Sequence, residues 1–237
     1  MRRLAVFDLE TTGVDTETDR IVSAFFGILD EQGNLEEAHD YLVKQDQPIP
    51  EGATAVHGIT TEYANEHGQD RNYVVDALLS HLQWCVSQRL PLAGHNIVYD
   101  LTLLDREAQR EGFESVQLAL ESGLIVIDSL VIDKRIDTYR KGKRTLITAA
   151  EVYGVELSED EAHGARADAI ASGRVVQIQL ADMEIVRYGP KMLMQMQKAW
   201  KAEQAASFQE YLRTKAPEPD PEAVVNGEWP LIPRSSE

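Results

Sequence analysis

Asp8 and Glu10 stand two residues apart in the run Phe7-Asp8-Leu9-Glu10-Thr11-Thr12-Gly13, which closes an apolar stretch beginning at Leu4. Side chains alternate along a strand, so both acids point to the same side of it. Two carboxylates that close repel each other, and partial burial makes ionising both of them costly. A divalent cation removes that cost. Taken alone, Asp-x-Glu is also what a strand running into a polar turn looks like. Two more acids bear on the choice. His95-Asn96-Ile97-Val98-Tyr99-Asp100 sets an acid just after a short apolar strand, at a helix start, and His163-Gly164-Ala165-Arg166-Ala167-Asp168 sets a histidine five positions ahead of another. Singly, each Asp is a favourable helix-start residue. In this order they are far more specific.

The ordered set resembles the DEDD exonucleases, in particular the histidine subtype typified by the DnaQ-like proofreading subunits of bacterial replicative polymerases. The resemblance covers roughly residues 3–185 and also takes in Ala55-Val56-His57-Gly58-Ile59-Thr60. It implies a ribonuclease-H-like fold, with a mixed five-stranded α/β sheet flanked by helices. It also implies that Asp8, Glu10, Asp100 and Asp168 are the metal-binding carboxylates and His163 the general base. The tyrosine subtype wants Tyr four positions before Asp168, where this chain has Gly164. The activity implied is removal of nucleotides from the 3′ end of single-stranded or frayed DNA. Alternatives are an exoribonuclease or oligoribonuclease, and a subunit that docks a polymerase.

Those residue types suit that chemistry on physical grounds. Phosphodiester hydrolysis needs an activated water, a stabilised leaving oxyanion and neutralised phosphoryl charge. Two Mg²⁺ or Mn²⁺ ions about 4 Å apart serve all three needs, and hard ions prefer carboxylate oxygens. Four carboxylates against two such ions leave no net charge to repel a phosphate. His163, with a reference pKa of about 6.5, is suited to accept a proton from water. Thr11 would touch the metal shell or the terminal nucleotide, or simply build the turn beside Gly13. By resemblance, His57 and Ile59 belong to a loop that packs on the 3′-terminal base. Asn96 is expected to hold the strand end or to contact a metal ligand rather than the metal itself. His39, His67 and His81 have no metal-ligand spacing and read as surface or packing residues.

The elements that must position these groups follow from periodicity. Residues 4–9, 21–29, 39–43, 92–95 and 123–128 read as strands, several of them apolar throughout. Residues 48–60, with two prolines and two glycines, read as a loop with at most one helical turn. Val75, Leu78, Leu79, Leu82 and Cys85 form a helical stripe. A helix over 99–111 stops at Gly112, another runs from the Thr145 cap to Gly154, and a further one starts near Arg166.

The chain of 237 residues carries a net charge of −17, which argues against holding nucleic acid by bulk electrostatics. Local charge differs. Between positions 134 and 144 lie Lys134, Arg135, Arg140, Lys141, Lys143 and Arg144 against one acid, Asp137. Lys141, Lys143 and Arg144 are expected to contact substrate phosphates; a solvated basic loop is the plain alternative. One cysteine, Cys85, excludes an intramolecular disulfide framework and a cysteine zinc site, which makes a reduced, cytoplasmic setting the default. No apolar run reaches the roughly 20 residues of a membrane span.

The division expected is an exonuclease domain over 1–185, a helical extension over 186–215 and an acidic, proline-spaced linker and tail over 216–237. The extension carries Met192, Met194, Met196, Trp200, Phe208 and Tyr211. It either packs back on the domain or docks a DNA polymerase or another replication protein. Trp229-Pro230-Leu231-Ile232 could clip onto either.

Overall fold

A computed structural model describes residues 3–158, 164–182, 185 and 187–234. In chain order the elements are β1 (Leu4–Thr11), β2 (Ile21–Leu29), β3 (Leu35–Leu42), α1 (Glu51–His57), α2 (Thr61–His67), α3 (Arg71–Gln88), β4 (Leu92–Gly94), α4 (Val98–Arg110), α5 (Val116–Glu121), β5 (Val126–Asp128), α6 (Ser129–Ile136), α7 (Leu146–Tyr153), α8 (Ala165–Gln179) and α9 (Pro190–Thr214). The strands form one mixed sheet in the order β3-β2-β1-β4-β5. The β1–β2 and β2–β3 pairs are antiparallel, whereas β1–β4 and β4–β5 are parallel. The five-stranded ribonuclease-H-like sheet expected from the sequence is the one observed.

β1 continues two residues past the apolar run, so Asp8 and Glu10 lie within the strand, opposite Phe25 and Ser23 of β2. The pairing register shifts between Glu10 and Thr11. Such a bulge kinks a strand and re-aims the side chains beside it. Val6 shares the face of Asp8 and Glu10, and there α8 comes down on the sheet. A Cβ at Gly173 of α8 would sit 2.3 Å from Val6 Cγ1, so only glycine permits this approach of helix to strand. On the opposite face α3 buries Val74, Val75, Leu78, Leu82 and Cys85, and His81 stacks on Phe26 with ring centroids 4.1 Å apart.

Segment 48–60 holds more structure than its prolines and glycines suggest. α1 ends at Gly58 in the left-handed conformation, and α2 follows with the Thr60 hydroxyl accepting from the Tyr63 N–H. Thr145 caps α7 and Gly154 ends it, as the sequence implied.

α9 packs against β5 and α6. The Gln197 side-chain oxygen accepts the Asp128 N–H at 2.7 Å, and its amide donates to the Val126 carbonyl at 3.1 Å. The tail then returns to the domain. Trp229 is 2% exposed, the Ile232 N–H donates to Thr102 Oγ1, and Arg234 bonds Asp105 of α4. Among the described residues no helix is long and apolar enough to cross a membrane.

Candidate active site

β1 supplies Asp8 and Glu10, and the first turn of α8 supplies Asp168. Because Gly173 holds α8 against Val6, these acids converge, and one carboxylate oxygen from each lies within 4.8 Å of the others. Asp100, in the first turn of α4, is 5% exposed and accepts the Leu9 N–H at 3.1 Å. It stands outside that three-oxygen cluster yet within electrostatic reach of it. His163 lies outside the described residues.

The charges are held against their preference. Burial, then Asp100, Glu10 and Asp168, push the Asp8 carboxyl well above its ordinary range. Burial, then Asp168 and Asp100, push Glu10 up to about 8. Asp100 is also raised by burial, and N–H groups from its own backbone and from Leu9 act against the rise. Acids that resist ionisation in each other's company, with oxygens converging on one point, fit a hard divalent cation, which would restore the ionised state.

Around the acids the first motif is tied down. The Thr11 hydroxyl donates to the Gly13 carbonyl at 2.7 Å and lies 2.8 Å from the Tyr99 hydroxyl, which donates to the same carbonyl. The turn-building role of Thr11 is therefore visible directly. His57 ends α1 beside the Thr11 backbone. Its Nδ1 accepts the Ile59 N–H at 3.1 Å, its buried Nε2 has no hydrogen-bond partner among the described residues, and burial lowers its pKa. Ile59 packs on a small cluster of Val22, Ile49 and Ala64.

The basic segment divides in two. Lys141 and Lys143 are exposed and make no ion pair with any described residue. Arg144, expected among the phosphate contacts, is engaged elsewhere. Its guanidinium bonds the Asp133 carboxylate at 2.8 Å and the Asp137 and Arg140 carbonyls, and Arg140 grips Asp133 through two bonds of 2.9 and 2.6 Å. Asp133 is fully buried and needs these partners. Arg144 thus pins the loop.

Three positioning residues escaped the sequence reading. Tyr99 holds the Thr11–Gly13 turn. Asp128 is fully buried and accepts the Asn96 N–H at 3.0 Å, which fixes Asn96 in the left-handed region (φ 61°) just ahead of α4. His95 donates from Nε2 to the Arg144 carbonyl at 3.0 Å while its Nδ1 lies 2.7 Å from Ser129 Oγ, and burial lowers its pKa. Only Asp128 had a signal, as an acid directly ahead of a helix-forming run.

A ribonuclease-H-like sheet with acids from β1 and α8 meeting on one face is the architecture of a nuclease class. Within it, the exonuclease family model RNase_T matches residues 5–176. The chain belongs to that exonuclease family, in the DnaQ-like 3′→5′ group that its motifs resemble. It is 27% identical over 168 residues to the DNA polymerase III PolC-type of Lacticaseibacillus paracasei, covering 71% of this chain and 10% of that protein. Against the Ureaplasma parvum PolC-type polymerase the identity is 24% over 173 residues, covering 73% and 11%. Escherichia coli exonuclease I in complex with a dT13 oligonucleotide shares the fold at a TM-score of 0.66 and 18% identity, over 78% of this chain and 42% of that one. The moderately thermophilic exonuclease I from Methylocaldum szegediense does so at 0.60 and 20%, over 91% and 46%. The chain therefore spans about a tenth of the polymerases and less than half of the exonuclease I chains.

Proposed function

We propose that this protein removes nucleotides one at a time from the 3′ end of single-stranded or frayed DNA, by metal-dependent phosphodiester hydrolysis. The observation that carries the reading is the convergence of Asp8, Glu10 and Asp168 at the bulged end of β1, with Asp100 hydrogen-bonded beside them. These four carboxylates would hold two divalent ions, Mg²⁺ or Mn²⁺. Such ions supply Lewis acidity at the water, the phosphoryl oxygens and the leaving oxygen when bound.

The remaining steps belong to the chain's own side chains. His163 accepts a proton from the attacking water. His57 and Ile59 border the terminal nucleotide, and Thr11 with Tyr99 keeps that border rigid. Lys141 and Lys143 meet phosphates farther up the strand, on a loop that Arg144 fixes. DNA is favoured over RNA because exonuclease I, which shares the fold, has been crystallised with DNA oligonucleotides. The match to PolC-type polymerases favours a second role beside this one, association with a replicative polymerase.

The test uses 5′-labelled single-stranded DNA and matched RNA with Mg²⁺, with Mn²⁺ or with EDTA, alongside Asp8→Ala and His163→Ala proteins. A one-nucleotide ladder that needs metal and vanishes in both variants is the expected result. The DNA to RNA rate ratio identifies the substrate. No cleavage of either polymer by a folded, metal-binding protein overturns the reading and leaves polymerase association as the role to pursue.

A further inference from the structure

We propose that α9 and the basic segment 134–144 form a second nucleic-acid site, a groove that stacks bases and binds phosphates of the single strand upstream of the 3′ end. The proposal rests on the exonuclease reading for the identity of the polymer, and on separate residues for the site.

A cleft of about 490 Å³ runs between two walls. One wall comprises the end of α6 and the turn after it, with Lys134, Arg135, Arg140 and Arg144. The other is a single face of α9, with Trp200, Gln204, Phe208 and Tyr211. Those four positions recur at helical spacing, so they line one stripe. Trp200 is buried at the base, with the Arg135 guanidinium 5.6 Å from its ring centre. Phe208 and Tyr211 are 52% and 43% exposed, and their rings lie nearly parallel at 13° with centroids 6.3 Å apart.

Charge decides what this cleft would take. Asp133 pairs with both Arg140 and Arg144 from within, and Asp137 lies 3.9 Å from Arg140. Among the described residues Lys134, Arg135 and Lys201 form no ion pair within 4 Å, and the one acid on the lining is Glu203. Lys134 is half-buried; burial, Lys201 and Arg144 depress its pKa, while Asp128 and Asp133 act the other way. In a chain of net charge −17, a surplus of cations beside parallel exposed rings is complementary to a polyanion with flat bases. The location agrees. Arg144, on the cleft lining, offers its carbonyl to His95 at the C-terminal end of β4, directly ahead of the segment that carries Asp100. A strand leaving the carboxylates on that side meets the basic segment first and the α9 rings next.

Binding and turnover of the full chain test this. Fluorescence anisotropy in EDTA would give the affinity for a thymidine hexadecanucleotide and its salt dependence, and cleavage of a thymidine tetranucleotide in Mg²⁺ would report the catalytic centre alone. Phe208→Ala with Tyr211→Ala should weaken hexadecanucleotide binding about 5- to 100-fold per ring, with tetranucleotide cleavage unchanged. Tyr211→Phe keeps the ring and should keep the affinity. Replacing Lys134, Arg135 and Lys201 by Gln should reduce the slope of log affinity against log salt by about 0.7 for each phosphate no longer neutralised. Unaltered hexadecanucleotide affinity in folded variants overturns the groove and leaves that face of α9 to a protein partner. An equal loss on the tetranucleotide also overturns it, because the effect would then lie at the carboxylates. Groove-dependent binding by a wild-type protein that cleaves neither oligonucleotide would sink the exonuclease reading while the groove stands.

Discussion

Trp229 Nε1 donates to Asp128 Oδ2 across 3.3 Å, and the other oxygen of the same carboxylate accepts the Asn96 N–H at 3.0 Å. One buried acid therefore joins the C-terminal tail to the backbone that turns into α4, the helix of Asp100. The tail touches that helix again farther along. The Ile232 N–H donates to Thr102, Arg106 donates to the Ile232 and Pro233 carbonyls, and Arg234 bonds Asp105.

Replacing Trp229 by Ala should cost about 3–5 kcal/mol, the usual range for truncating a buried aromatic residue. Trp229→Phe keeps most of the burial and removes only the donor to Asp128, at about 1–3 kcal/mol. Turnover should fall in both, since the entrance to α4 loosens. Urea denaturation gives the stabilities; a Trp229→Ala protein within about 1 kcal/mol of wild type would mean the tail merely rests on the domain.

Asp133 anchors the basic segment as Asp128 anchors the tail. It is fully buried beneath Arg140, Arg144 and the Tyr153 hydroxyl. Asp133→Ala leaves two largely buried guanidinium groups without their counter-charge, which should cost about 3–5 kcal/mol. Lys141→Gln with Lys143→Gln should leave the melting temperature where it was and weaken oligonucleotide binding. Equal melting temperatures for Asp133→Ala and wild type would contradict this division of labour.

What the sequence made legible was local. Strand alternation put Asp8 and Glu10 on one side, and Thr145 and Gly154 bracketed a helix, because each signal lies within a few residues. α2, α5 and α6 were missed because each has eight residues or fewer, too few for periodicity to stand out. Buried charge was invisible for another reason. Glu107 is fully buried, and although Arg110 is a local partner, Arg20 and Arg71 come from distant parts of the chain. Likewise, nothing near Arg144 announces that Asp133 holds it. The meeting of Asp168 with the β1 acids was implied only by family resemblance, and the close approach at Gly173 is its physical cause.

That approach can be tested directly. Gly173→Ala places a methyl 2.3 Å from Val6 Cγ1 and 2.8 Å from Leu29 Cδ1. Overpacking of this kind costs about 1–3 kcal/mol, and it should push Asp168 away from Asp8 and Glu10, weakening Mn²⁺ binding as well. Val6→Ala in the same protein relieves the nearest clash and should recover part of both losses. If Gly173→Ala binds Mn²⁺ as wild type does, α8 is not held by this contact.

His81 supplies a pH dependence away from the carboxylates. Burial, with His39 beside it, lowers its pKa to about 4, while Glu37 acts the other way; the ring stacks on Phe26 and lies 2.8 Å from the Tyr41 hydroxyl. In the unfolded chain the value is about 6.5, so below that pH the unfolded state takes up a proton that the fold refuses. The stabilisation is complete above about 6.5 and is lost as pH falls toward about 4. His81→Phe keeps the stack and removes the titration, so its melting temperature should fall less over that interval. Parallel curves for the two proteins would exclude His81 as the source.

Asp8 and Glu10 should make the metal-free fold weaker than a variant that lacks one of their charges. Both carboxyls are raised by burial and by neighbouring acids, Glu10 to about 8. A carboxyl raised in the fold favours folding while it is protonated. Stability in EDTA should therefore decline as pH rises from about 4.5, where the unfolded glutamate ionises, through about 8. Asp8→Asn removes one charge at nearly the same volume. In EDTA at neutral pH it should gain about 1–2 kcal/mol, roughly 2–8 °C in melting temperature, and its activity should disappear. Mg²⁺ or Mn²⁺ should stabilise the wild type by mass action and the variant far less. Thermal melts with and without metal, over a pH series, read all of this at once. If Asp8→Asn melts lower than wild type in EDTA, the carboxylates do not store repulsion, and the electrostatic case for a cation at the end of β1 fails.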